Sequence, residues 1–240
     1  MSEIIALSTH AAPVSKDVLI LDQVHIHMGK RCVLHNVDLR LSRGSMTAIM
    51  GANGAGKTSL LKSLVGIVPV TSGSIDVDRN DQTIGYLPQI TDFDRDFPVR
   101  VRDLIAMGLI GKGLSRAEQK SVIADILEQV NLSGYAASFV QDLSAGQLKR
   151  ALMGRMIAQD ADIWCLDEPF AELDRASCDL MMAILRRMQS AGKTILVVIH
   201  DDQLLRQGFD FILSLQNQTA TLHKNPHLQP GIIKLQQATC

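Results

Sequence analysis

No stretch of this chain is long and apolar enough to suggest a membrane span. Its strongest apolar runs, Thr194 to Ile199 and Ile163 to Leu166, are strand-sized, whereas a spanning helix needs roughly 20 apolar residues. There is no long basic run either, and the formal net charge is -1, so composition gives no reason to expect nucleic acid as the main partner. The four cysteines, Cys32, Cys165, Cys178 and Cys240, show no C-x-x-C spacing, and they read as reduced cytosolic thiols. Met1 to Val18 lacks a basic start followed by an apolar block, so no signal peptide is expected there. Internal repeats and low-complexity tracts are also missing. What is present, 240 residues that are 46% hydrophobic and 20% charged, suffices for one sizeable core or a core plus a smaller lobe.

The most informative stretch runs Gly51, Ala52, Asn53, Gly54, Ala55, Gly56, Lys57, Thr58. It lies between the apolar Met46 to Met50 and a helix-like Ser59 to Val65. Strand, glycine loop and helix are the context a P-loop requires. The glycines allow consecutive backbone N–H groups to point inward, and the helix start adds partial positive charge where a polyphosphate would lie. Lys57 would reach the β and γ phosphates, and the Thr58 hydroxyl would ligand the Mg2+ that ATP carries. The plainer reading is a glycine-rich turn that precedes a lysine.

Around this loop the chain is patterned as a mixed α/β protein. Residues 1 to 16 are aperiodic, which suggests a loose arm. Val18 to Val24 and Val33 to Leu41 alternate apolar with polar residues, as half-buried antiparallel strands do. Ser72 to Ser74 reads as a turn, followed by a short strand over Ser74 to Asp78 and another over Ile84 to Leu87. Helical spacing begins at Val101, Leu104 and Ile105 and returns in Val122, Ile123, Ile126, Leu127 and Val130. Apolar strands reappear at Ile163 to Leu166 and Ile195 to Ile199, with a helix through Leu180, Ile184, Leu185 and Met188 between them. Continuous apolar strands alternating with helices indicate a parallel sheet covered on both faces. The expected organisation is an arm over 1–16, a nucleotide-binding domain over 17–222 with a mainly helical insertion at about 90–160, and a tail over 223–240.

Two further segments carry chemistry. Ile163 to Leu166 ends in Asp167 and Glu168, which suits one carboxylate acting on Mg2+ through its hydration shell and the next serving as general base. Leu143, Ser144, Ala145, Gly146 and Gln147 open a helix, where Ser144 offers a hydroxyl and Gly146 permits close backbone approach to a phosphate. On spacing alone, an ordinary N-cap and turn is the plainer reading of those five residues. His25 and His27 would place two imidazoles on one strand face, either as metal ligands or as part of a partly exposed edge strand. The same two readings apply to His223, His227 and Cys240.

Taken together these segments resemble the ATP-binding cassette subunits of ABC transporters, from about Val18 to Leu215 and in the expected order. Gly51 to Thr58 matches Walker A, Gln89 the Q-loop, Leu143 to Gln147 the signature sequence, and Ile163 to Asp167 Walker B with Glu168 as catalytic glutamate. Leu173 and Asp174 match the D-loop and His200 the switch histidine. The resemblance implies a P-loop NTPase fold with a mixed sheet core, an antiparallel β subdomain and a mainly helical subdomain. It also implies a head-to-tail dimer that sandwiches each ATP between one copy's Walker A and the other's signature loop. Within that frame the loop N–H groups and Lys57 neutralise the phosphates, and Ser59 bonds the α phosphate. Thr58, Gln89 and Asp167 surround Mg2+, while Glu168 orients water and His200 contacts the γ phosphate. Ser144 and Gly146 complete the cage from the second copy.

The chain departs from this pattern at three places. Met28 falls where the family usually stacks an aromatic residue on adenine. Stacking of bases on aromatic rings is worth roughly 1 to 3 kcal/mol in nucleic-acid binders, so weaker nucleotide affinity is expected. Ala145 replaces a usual glycine, and Glu172 stands where a small residue is common. The strip from Asp92 to Pro98, with Val99 and Val101 to Gly108, resembles the corresponding stretch of importer ATPases for zinc, manganese and iron, as does Asp167 to Ala171. The chain carries no fused spanning domain or second cassette, which implies a separate subunit at the cytoplasmic face of the membrane. Its partners there would be a second copy, a polytopic permease and, indirectly, a substrate-binding protein. The alternatives are haem or siderophore uptake, export, and a soluble assembly such as iron-sulfur cluster construction.

Overall fold

The computed structural model describes residues 17–77, 82–89, 98–206 and 208–227. The arm over 1–16, the strip Thr91 to Phe97 and Cys240 therefore lie outside the described residues. Two strands of twelve residues, β1 (Asp17–Met28) and β2 (Arg31–Ser42), form an antiparallel pair, and β4 (Ser72–Val77) joins the other side of β1. Burial follows the expected alternation with one phase change. Leu19 and Leu21 face inward, then Val24 and Ile26 do, because the register shifts between Leu21 and Val24, where Gln23 adopts a φ of 47°. A bulge of this kind exchanges the faces of the residues that follow it.

That bulge also accounts for a correction. Ser72 to Ser74, expected as a turn, belongs to β4: Ser72 pairs with His25 and Ser74 with Asp22. Gly73 is needed there for close approach, since a Cβ at that position would lie 2.3 Å from the Gln23 carbonyl oxygen. A second correction concerns the histidines. β1 is the central strand of its sheet, not an edge. The His25 ring meets His35 edge-to-face at 4.4 Å, and His27 Nδ1 lies 3.2 Å from the Thr71 hydroxyl. Among the described residues no cluster of three or more such side chains could hold a metal.

The larger sheet has the order β5-β6-β7-β3-β8-β9. Its strands are β3 (Met46–Gly51), β5 (Ile84–Leu87), β6 (Ile163–Leu166), β7 (Thr194–Val198), β8 (Phe211–Gln216) and β9 (Thr219–Lys224). All neighbours are parallel except β8 and β9. The continuous apolar runs of β6 and β7 are buried throughout, as a sheet covered on both faces demands. Alternation sends Trp164, Leu166, Ile195 and Val197 into one core and Ile163, Cys165, Leu196 and Val198 into the other.

The first core is closed by the helices α2 (Val101–Ala106), α3 (Arg116–Gln129), α4 (Ala145–Gln159) and α5 (Arg175–Ser190). The second is closed by α1 (Lys57–Leu64) and the three-stranded sheet. A short α6 (Asp202–Leu205) follows β7. β9 runs through Lys224, so the expected start of a tail at 223 falls inside a strand. Cys165 is fully buried, which pushes its thiol up to about 12. Among the described residues no helix is long and apolar enough to cross a membrane.

Candidate nucleotide site

Four adjacent parallel strands, β5, β6, β7 and β3, deliver the chemistry to one edge of the sheet, beyond their carboxyl ends. Gln89 stands two residues past β5, Asp167 and Glu168 directly follow β6, His200 lies two past β7, and the glycine loop follows β3. Ligands of open α/β sheets gather at this edge, where the loops leave the strands.

The loop is shaped by its neighbours. A Cβ on Gly56 would lie 2.7 Å from Val33 Cγ1 and 3.2 Å from Leu34 Cγ, and its φ of 100° is open only to glycine at low cost. Gly56 caps α1, so Lys57 and Thr58 begin the helix at the cleft wall, in the first turn, where backbone N–H groups have no partner within the helix. The Lys57 ammonium donates to the carbonyls of Gly51 at 2.7 Å and Ala52 at 3.1 Å. Burial lowers its pKa, while Glu168 and Asp167 pull it back upward.

The two acids differ in setting. Asp167 is 1% exposed. Burial raises its pKa, and hydrogen bonding from Thr58 and Tyr86 opposes that rise; the Tyr86 hydroxyl donates to Oδ2 at 3.4 Å. Its Oδ1 has no hydrogen-bond partner although it is buried. An unpartnered carboxylate oxygen beside a threonine hydroxyl is a donor set that fits Mg2+. Glu168 holds a left-handed φ of 51°. Gln89 Nε2 donates to its Oε2 at 2.9 Å, and His200 Nε2 lies 2.7 Å from its Oε1. Both oxygens of the expected general base are thus engaged, one by Gln89, expected at Mg2+, and the other by His200, expected at the γ phosphate.

A cleft of about 640 Å³ gathers Met28, Asn53, Gly54, Gly56, Lys57, Thr58, Ser59, Gln89, Glu168 and His200. Gly51, Ala52 and Ala55 form the rest of the loop behind it, with Ala55 N donating to the Ala52 carbonyl at 3.1 Å. Met28 is 53% exposed at the rim. Arg31 and Val33, which sequence reasoning missed, share the lining. They follow Met28 across a two-residue turn, and only pairing of Met28 with Arg31 brings them to the rim.

Ser144 and Gly146 do not line this cleft. Ser144 is exposed and caps α4: its hydroxyl accepts from Gln147 N at 3.2 Å, and its own N–H donates to Gln147 Oε1 at 2.9 Å. The ordinary capping box is therefore present. Arg155 was also missed; its half-buried guanidinium donates to the Tyr86 carbonyl at 3.1 Å and so ties α4 to the strand leading to Gln89.

A helix-opening glycine loop, a buried metal-type carboxylate and an adjacent glutamate at one sheet edge define a nucleoside-triphosphate-binding α/β protein. The model of the family described as ABC transporter matches residues 34–171. The manganese transport system ATP-binding protein MntB of Bacillus subtilis (strain 168) is 39% identical over 204 residues, covering 81% of this chain and 82% of that protein. The zinc transport system ATP-binding protein TroB of Treponema pallidum (strain Nichols) is 34% identical, covering 81% and 77%. Among solved structures, a metal-chelate type ABC transporter in an inward-facing conformation superposes with a TM-score of 0.76 at 26% identity, covering 87% of this chain and 84% of that one. A dimeric ATP-binding cassette bound to ADP and Pi superposes with 0.77 at 25% identity, covering 86% and 98%. The chain belongs to the ATP-binding subunits of the ABC transporter family, and its activity is ATP hydrolysis.

Proposed function

We propose that this chain powers a bacterial importer of a divalent metal cation: zinc, manganese or iron. Two copies would pair head to tail at the cytoplasmic face of the membrane, beneath a polytopic permease fed by a substrate-binding protein. The observation that carries the cargo class is the extended similarity to manganese and zinc transport ATP-binding proteins, 39% and 34% identical over about four-fifths of the chain. The transported ion would pass through the permease and never touch this subunit.

The geometry supports a definite division of labour. Lys57 exchanges its two loop carbonyls for β and γ phosphate oxygens, and the N–H groups of residues 52 to 58 line the phosphates. Ser59 reaches the α phosphate. Thr58, Asp167 and Gln89 would hold Mg2+, which when bound neutralises charge on the β and γ oxygens. Glu168 orients the attacking water and takes its proton as the bond to the γ phosphorus forms and the bond from that phosphorus to the β,γ-bridging oxygen breaks, leaving ADP and inorganic phosphate. His200 holds the γ phosphate and, through its contact with Glu168, the direction of that carboxylate. Ser144 is exposed on its own copy, which suits contact with the nucleotide of the other, where Gly146 allows close approach.

The test is ATP-driven uptake by the purified complex in vesicles, offered a panel of divalent ions. Uptake of manganese, zinc or iron is expected. Uptake only of a metal chelate, the reading that the 26% identical metal-chelate transporter favours, would replace the free cation, and outward movement would reverse the direction.

A further inference from the structure

The first turns of α4 touch the loop behind Glu168 at two points. Gly146 lies against Leu173, where an added Cβ would make an ordinary contact at 3.4 Å with Leu173 Cδ2. One turn on, the Lys149 ammonium donates to the Ala171 carbonyl. The same Ala171, through the preceding peptide group, donates its N–H to the Glu168 carbonyl at 3.3 Å. Lys149 is therefore bonded to the turn whose first residue is the general base. That turn is bracketed by two non-glycine residues in left-handed conformations, Glu168 at φ 51° and Glu172 at φ 58°. Such backbone persists only where its surroundings over-determine it.

Lys149 is also an expensive residue to place here. It is 3% exposed, and burial of an ammonium is unfavourable unless specific partners hold it. Burial holds its pKa below the usual lysine value, and the Glu172 and Glu168 carboxylates, in that order, work against that shift. Nothing in the P-loop chemistry requires a cation at this position.

We propose that Lys149 is a positioning residue that links the helix beginning at Ser144 to the turn carrying Glu168, so that engagement of one ATP site sets the general base of the other. The inference rests on the head-to-tail pairing proposed above. In that arrangement Ser144 faces the second copy's nucleotide, whereas Glu168 serves its own. A shift of α4 as Ser144 engages is passed by Lys149 to Ala171 and from there to the Glu168 backbone. Ala171 lies at the surface, so in a variant its carbonyl can turn to water, which loosens the turn without unfolding the domain.

The experiment follows ATP turnover of the full chain while both ATP and protein concentration are varied, with nucleotide affinity and melting temperature measured in parallel. Lys149→Met keeps the length and loses the donor. It is expected to lower kcat about tenfold or more, the size of effect that a small misplacement of a catalytic group produces, and to bring the Hill coefficient for ATP down toward one. Nucleotide affinity should stay within about twofold of wild type. Lys149→Gln, whose amide can donate to the same carbonyl, is expected to restore turnover and cooperativity. Wild-type kcat and Hill coefficient in Lys149→Met, or an affinity that falls in step with kcat, would overturn the role. Should Lys149→Met melt far below wild type, Lys149→Gln decides alone, and loss of its turnover at unchanged affinity overturns the proposal. If turnover per wild-type chain does not rise with protein concentration, the pairing itself fails and this inference with it.

Discussion

At neutral pH the Asp167 carboxylate is buried with one oxygen unpartnered, and its charge works against the fold. Because burial holds its pKa above the usual aspartate value, the folded protein binds that proton more tightly than the unfolded chain does. The stability this group contributes is complete below its unfolded pKa and is lost as pH rises through the folded value. Asp167→Asn is therefore expected to melt above wild type near neutrality, with the advantage shrinking toward the ordinary aspartate range, while ATP turnover is abolished. Thermal melts across pH check this; equal melting temperatures at every pH would contradict it. Met28 presents a different case. It is 53% exposed at the cleft rim, so Met28→Tyr adds an aromatic face without disturbing the core. ATP should bind more tightly by up to about 1 to 3 kcal/mol, the range for base stacking. Calorimetry showing unchanged affinity would remove Met28 from the adenine site.

Among the elements, the strand, loop and helix around Gly51 to Thr58 were legible because the motif is contiguous and its neighbours in sequence are its neighbours in space. What the sequence does not display is why Gly56 must be glycine, since Val33 and Leu34 approach it from another sheet. Gly66 offers the control: its φ of 75° is also left-handed, yet a Cβ there meets nothing within 4 Å. Gly66→Ala should cost about 1 kcal/mol from backbone strain alone, whereas Gly56→Ala adds a steric clash and should cost roughly 2 to 4 kcal/mol. Urea denaturation of the two variants measures the difference, and equal costs would mean that β2 yields freely. Ser72 to Ser74 shows the opposite failure. Its glycine signals a turn by composition, but serves a bulge in the neighbouring strand, which no local pattern could reveal.

For the whole molecule, the decisive feature is strand order. β5, β6, β7 and β3 lie side by side although long segments of chain separate them, and this adjacency brings Gln89, Glu168 and His200 within hydrogen-bonding distance. The exposed Ser144 cap lies away from the cleft, so the proposed head-to-tail sandwich is open to a direct test. Glu168→Gln should bind ATP yet turn it over about 10²- to 10⁴-fold more slowly, the usual worth of a general base. It should therefore accumulate as an ATP-bound dimer in light scattering at chain concentrations where the nucleotide-free form is monomeric. A monomer at saturating ATP would exclude the sandwich.

The sequence by itself determined the phosphate loop, the acids after β6 and the alternating burial of the strands, because each depends on residues close along the chain and on the periods of helix and strand. Only the tertiary structure decided that both oxygens of Glu168 are held by Gln89 and His200, that an oxygen of Asp167 is left without a partner, and that Lys149 reaches the turn behind Glu168. Those are contacts between segments brought together by packing, where distance along the chain says nothing about distance in space.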